Sequence, residues 1–156
     1  MITSPAQSAT CSAAEIRTGI VRFFTSWNRR DRVAFGKLFD ADSAFAFAGK
    51  HQNTIKQNIH GYTEVGGRGM IVALAEHQWA LGERLLYRDV TADTGPGTAG
   101  NGGGATVVAR FPDGTAQRMV EAKFIYDCAA RAFAHVVIIS AMAARHDARP
   151  WSWRMP

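Results

Sequence analysis

Residues 12–49 constrain the fold most, because they fix an order of elements: a long helix, a polar break, a short helix, then an apolar strand. Ser12 with Glu15 three residues on fits a capping box, in which hydroxyl and carboxylate satisfy N–H groups that lack partners in a helix's first turn. Ile16, Ile20, Phe23, Phe24 and Trp27 then recur at the helical period and make one broad apolar face. Gly19 inside that run lowers helix propensity slightly without ending the helix. Asn28-Arg29-Arg30-Asp31 stops the pattern, and Asp31 is placed to cap a second helix carrying Val33, Phe35, Leu38 and Phe39. Asp40, Asp42 and Ser43 turn the chain into Ala44-Phe45-Ala46-Phe47-Ala48. Two apolar helix faces leading into an apolar strand predict helices layered on a sheet around a pocket.

The chain has 156 residues, enough for one domain with a single core. Its net charge of +5 raises the question of a nucleic-acid partner. The charges are scattered, however. The densest groups are Arg29, Arg30 and Arg32, interrupted by Asp31, and Arg145, Arg149 and Arg154, interrupted by Asp147. With no basic stripe and no recognition motif, they read as a solvated surface and no nucleic-acid partner is expected. Cys11 and Cys128 are the only cysteines and form no Cys-x-x-Cys pair, so neither a zinc site nor a redox motif is indicated. They read as two unpaired thiols in a reducing cytoplasm. The first ten residues lack the basic and apolar regions of a signal peptide, and no apolar run approaches a membrane span. A cytoplasmic protein without a membrane partner is the expectation.

Further along, residues 50–62 are polar with a β-like patch at 55–59, and Thr63 is expected to cap a third helix reaching about Ala80. Val65, Ile71, Leu74 and Ala75 would be its buried side, with Gly66, Gly67 and Gly69 weakening its first turns. Residues 85–90 read as a strand and the glycine-crowded 95–104 as a loop. The last third is β: strands at 105–111, 115–127 and 132–141, separated by the Pro112-Asp113-Gly114 turn and a turn at 128–131. Helices followed by an antiparallel sheet predict an α+β layer, helices on one face of a bent sheet. The expected organisation is a flexible leader over 1–11, one domain over 12–142, and a basic tail over 143–156 that carries Trp151 and Trp153.

Phe23-Phe24-Thr25-Ser26-Trp27-Asn28-Arg29-Arg30-Asp31 and Leu38-Phe39-Asp40-Ala41-Asp42-Ser43 carry a family signal. They resemble the opening of the nuclear-transport-factor-2-like superfamily, the cone-shaped α+β fold of ketosteroid isomerases, scytalone dehydratase, limonene epoxide hydrolase and SnoaL-like polyketide cyclases. The Tyr126-Asp127 turn and the strand after it resemble that family's closing hairpin. The resemblance implies three helices packed on a curved, antiparallel or mixed sheet around an apolar cavity. It also implies a homodimer through the convex sheet face. That face would carry Thr106, Val108, Arg110, Met119, Glu121, Lys123 and Ile125, with Val136 and Ile138 beside them. In ketosteroid isomerases a tyrosine and an aspartic acid hold the oxyanion and an aspartate is the base. Laid on that pattern, this sequence has Phe23, Ala122 and Phe47 at those three places, so steroid-isomerase chemistry is not carried over. The fold hosts many chemistries and many non-catalytic members.

Strict alternation through the hairpin puts Arg118, Ala122, Phe124 and Tyr126 on the concave face of the long strand, and His135, Val137 and Ile139 on that of the last strand. An imidazole there is either a general acid or base, or a core histidine bonded to backbone or to Tyr126. In the catalytic reading His135 transfers the proton and Tyr126 or Arg118 polarises the substrate. Phe23, Trp27, Phe47 and Leu74 would line the pocket from one side, and Tyr87, Phe111, Ala122, Phe124 and Val137 from the other. Tyr87 and Asp89 alternate on one strand face. His51, His60 and Tyr62 fall at the expected pocket mouth, with no metal-ligand spacing. The sequence has no H-E-x-x-H and no G-x-S-x-G. Gly67-Arg68-Gly69 lacks the rest of a dinucleotide fingerprint, and the glycine-rich loop lacks the Lys-Ser/Thr of a phosphate loop. No metal and no nicotinamide, flavin or nucleotide cofactor is expected.

The expected function is therefore binding of a small, largely apolar molecule. Any catalysis would be cofactor-independent acid–base isomerisation, cyclisation, dehydration or epoxide opening. The alternative is a non-catalytic ligand-binding or dimerisation module, or a small structural subunit of a larger enzyme, as in ring-hydroxylating dioxygenases.

Overall fold

The computed structural model describes residues 10–47, 63–94, 101–110, 112 and 118–140, with the backbone alone at 47, 63, 118–120, 139 and 140. Helix α1 (Ala13–Arg29) starts where the sequence places it: Ser12 Oγ accepts the Glu15 N–H at 3.1 Å. The Glu15 carboxylate pairs with Arg131 across the domain. Arg30 ends α1 in the left-handed region at φ 55°, its N–H returning to the Trp27 carbonyl. Asp31 Oδ1 accepts the Ala34 N–H at 3.0 Å and caps α2 (Arg32–Gly36). Leu38 and Phe39, expected within that helix, follow its end. Strand β1 (Ala44–Phe47) comes next.

Thr63 does not cap a helix. Residues Thr63–Gly66 are a strand, β2, paired antiparallel with β1, and α3 (Arg68–Ala80) begins only after Gly67. Gly67 sits at φ 83°, a conformation open to glycine, and makes the corner between strand and helix. Strands β3 (Arg84–Asp93), β4 (Gly102–Arg110), β5 (Arg118–Asp127) and β6 (Ala132–Ser140) complete one sheet in the order β2-β1-β6-β5-β4-β3. Of its pairings only β1–β6 is parallel. Gly102, Gly103 and Gly104, expected in a loop, open β4. A Cβ at Gly103 would lie 2.0 Å from the Thr91 carbonyl oxygen and 2.8 Å from Ile20 Cδ1, so glycine lets β4 approach both β3 and α1.

The helices cover one face of the sheet. Phe23 is the hub of the core, its ring centroid 5.2–6.4 Å from those of Phe24, Trp27, Phe35, Phe39, Phe45 and Phe124. Polar clamps fix the layers. The Asn28 amide donates to the Leu85 carbonyl and accepts the Leu85 N–H, both at 2.8 Å. Ser43 Oγ donates to the Phe133 carbonyl at 2.6 Å.

Two bulges decide which side chains face the helices. On β6, Phe133 pairs with Tyr126 but His135 pairs with Ile125, so Ala134 is an extra residue. One extra residue moves everything after it to the other face. Val136 and Ile138, expected outside, are therefore buried in the core, and His135 and Val137, expected inside, lie opposite Ile125 and Lys123 on the outer face. On β3 the bulge between Arg88 and Thr91 holds Asp89 at φ 55° and separates it from Tyr87. Tyr87 stacks on Phe24 at 4.5 Å, while Asp89 faces out.

Cys11 and Cys128 form a disulfide with 5.5 Å between their Cα atoms. The expectation of two unpaired thiols is corrected, and the argument from them for a reducing compartment falls with it. The sequence could not show that α1 begins beside the β5–β6 turn, which is what brings the two sulfurs together. The expected strand patch at 55–59, the residues at 51, 60 and 62, the 113–114 turn and the tail from 143 lie outside the described residues.

Candidate functional site

The outer face of the sheet carries an open trough of about 790 Å³. Gly102 and Gly104 have no side chains to fill it. Asp89, Thr91 and Asp93 of β3 form one wall, and Glu121, Lys123 and Ile125 of β5 the other, with His135 and Val137 of β6 beyond. The pairs Gly104–Lys123, Lys123–Val137 and Ile125–His135 are strand neighbours, so cross-strand register holds these groups together. His135 Nε2 is buried, has no hydrogen-bond partner among the described residues, and stands 4.0 Å from Glu64 Oε1 of β2. A carboxylate at that position can orient the imidazole.

Of the expected site residues, His135 and Val137 contribute to the trough, and Ala122 and Phe124 border it while their side chains are buried in the core. Phe23, Trp27 and Leu74 are buried on the helix side, Phe23 and Trp27 packed against neighbouring rings. The three groups expected to act together do not meet. Tyr126 lies on the helix side against Phe133, its ring 5.4 Å away. Burial is the largest influence on its phenol and raises its pKa above 10.0. Arg118 opens β5 and Tyr126 lies near its far end, about 26 Å along the strand at the usual rise. The side chains of Arg118 and Phe47, and all of Phe111, lie outside the described residues. Glu64 was not singled out from the sequence, because Thr63-Glu64-Val65 read as the start of a helix rather than a strand beside His135. Among the described residues no cluster of three His, Cys, Asp or Glu could hold a metal, and no helix is long and apolar enough to cross a membrane.

Two helices, a strand hairpin begun by a parallel neighbour, a third helix and four antiparallel strands make the α+β cone fold of nuclear-transport-factor-2-like and cystatin-like proteins. The chain is similar to a protein of unknown function with a cystatin-like fold from Methylobium petroleophilum, at TM-score 0.65 and 15% identity over 94% of this chain and 99% of that one. A candidate ketosteroid isomerase from Kribbella flavida matches at TM-score 0.57 and 13% identity, over 92% and 83% of the two chains. SalBIII, an epoxide hydrolase/cyclase-like enzyme with a role in pyran ring formation in the polyether salinomycin, matches at TM-score 0.61 and 11% identity, over 83% and 93%. No protein-family model and no curated protein matches the sequence.

Proposed function

We propose that this chain is a SnoaL-like pocket protein that binds a small, largely apolar molecule in the outer-face trough, with His135 as its proton-transfer group. The trough carries the reading. Its 790 Å³ falls in the range of about 300–1,000 Å³ usual for small-molecule sites, and a few polar groups converge on it. His135, backed by Glu64, offers an imidazole as acid or base, and Lys123 can stabilise developing negative charge. The chemistry this suits is cofactor-independent: isomerisation, cyclisation, dehydration or epoxide opening. Structural neighbours described as a ketosteroid isomerase candidate and as an epoxide hydrolase/cyclase-like enzyme support that class.

One observation favours a second reading, a non-catalytic homodimer. Ile125, 46% exposed, is the one large exposed apolar side chain on the sheet among the described residues. A second copy laid on this face would cover it. Native mass spectrometry, with a denatured extract run beside it, tests both. A bound small apolar molecule, lost in His135→Ala or retained without turnover, supports the pocket reading. A dimer that carries nothing and shows no thermal shift across a panel of apolar ligands refutes it in favour of assembly.

A further inference from the structure

A second hollow, of about 310 Å³, lies where α1, α2 and the β5–β6 turn meet, on the opposite side of the sheet from the trough. Arg22 of α1, Lys37 at the end of α2 and Arg131 of the turn line it, with Tyr126 and Glu15. Three cations thus face one carboxylate, and Glu15 is already engaged by Arg131. Among the described residues no carboxylate pairs with Arg22 or Lys37. Asp127, the next acid, is turned to the backbone: its Oδ1 accepts the Ala129 and Ala130 N–H groups at 2.9 and 3.1 Å.

Cations gathered around a partly enclosed space repel one another and create a positive potential that an anion relieves. Guanidinium groups offer paired donors that match carboxylate and phosphate oxygens, and lysine adds a point charge. The Tyr126 hydroxyl stays protonated at neutral pH and is a donor to an anion there. Gly19 lets the Tyr126–Phe133 ring pair pack close to α1 at the edge of the hollow, since a Cβ there would lie 3.3 Å from Phe133 Cζ and 3.8 Å from Tyr126 Cε2. The Cys11–Cys128 disulfide braces the same corner, tying the start of α1 to the turn that presents Arg131.

We propose that this hollow is a binding site for a small oxyanion, a carboxylate or phosphate group, clamped between Arg22, Lys37 and Arg131. The site is independent of the trough: an oxyanion binds here whether or not an apolar molecule binds there.

Amide NMR titrations of the full, disulfide-bonded chain test it, one with sodium phosphate and one with sodium succinate, ionic strength held constant with chloride. Saturable shifts confined to residues 15–22, 37–38 and 126–131 are expected. The anion that saturates at the lower concentration identifies the source. The double variant Arg22→Ala/Lys37→Ala, altered at two side chains outside the core, should keep its melting temperature and bind at least about tenfold more weakly, since one charge-assisted hydrogen bond is worth roughly that factor. Tyr126→Phe should weaken binding several-fold. Shifts that fail to saturate with either anion, or that persist unchanged in the double variant, overturn the proposal.

Discussion

Single residues here are constrained by backbone as much as by side-chain chemistry. Gly103 and Gly69 make opposite cases. A methyl at 103 would strike the Thr91 carbonyl oxygen, a backbone atom that cannot swing away, whereas nothing lies within 4 Å of a methyl at 69 on α3. Gly103→Ala should therefore destabilise by about 1–3 kcal/mol or more, and Gly69→Ala should stabilise by about 0.5–1 kcal/mol, both read from urea unfolding. Tyr126 makes a prediction about pH. Burial raises its folded-state pKa above 10.0, and only the unfolded phenol ionises just above that value. The unfolded state then binds fewer protons than the folded one, so stability falls as pH rises. The contribution is fully present below pH 10 and is lost through the alkaline limb. Unfolding curves from pH 9 upward should show a steeper fall for the wild type than for Tyr126→Phe. Equal slopes would mean the phenol is not buried as described.

At the scale of elements, the sequence carried most of the fold. Ser12, Asp31 and the stripe of Ile16, Ile20, Phe23, Phe24 and Trp27 predict α1 and α2 because capping and periodicity are local properties. The β5–β6 hairpin follows from the turn at 128–131 in the same way. The candidate site depended on what is not local. Ala134 looks like any strand residue, yet as the extra residue of a bulge it sends His135 outward and Val136 inward. Thr63-Glu64-Val65-Gly66 has strand and helix readings of equal local merit, and pairing with β1 decides between them. The disulfide is long-range too, its halves 117 positions apart in the sequence. Closing so long a loop restricts the unfolded chain strongly. Cys11→Ser/Cys128→Ser should lose about 2–4 kcal/mol in guanidinium unfolding. The wild type should fall to the same midpoint under dithiothreitol, while the double variant should not respond to it. A wild-type midpoint unmoved by reductant would show that the two sulfurs are not bonded.

At the scale of the whole molecule, the architecture leaves an imbalance. Three helices bury one face of a six-stranded sheet, and the described residues place no helix on the other. That face is neither plainly polar nor plainly core. Ile125 and Val137 sit among Glu121, Lys123 and His135, along a groove lined in part by Gly102 and Gly104. The glycines are needed by the close approach of the neighbouring strands, since a Cβ at Gly102 would lie 2.2 Å from the Phe124 carbonyl oxygen, but a face built only for a flat dimer would not need the groove. Ile125→Glu separates the two uses. If the trough holds an apolar molecule, the charge at its wall should weaken binding at least tenfold and leave the native mass of the assembly unchanged. If the face joins two copies, the same charge meets its own symmetry mate or an apolar surface and should convert a dimer to a monomer. His135→Ala completes the distinction. If His135 transfers protons in a ligand pocket, its loss should change turnover or ligand release while oligomeric state stays the same. An unaltered ligand affinity in both variants, with an unaltered assembly, would remove the outer face from any role in function.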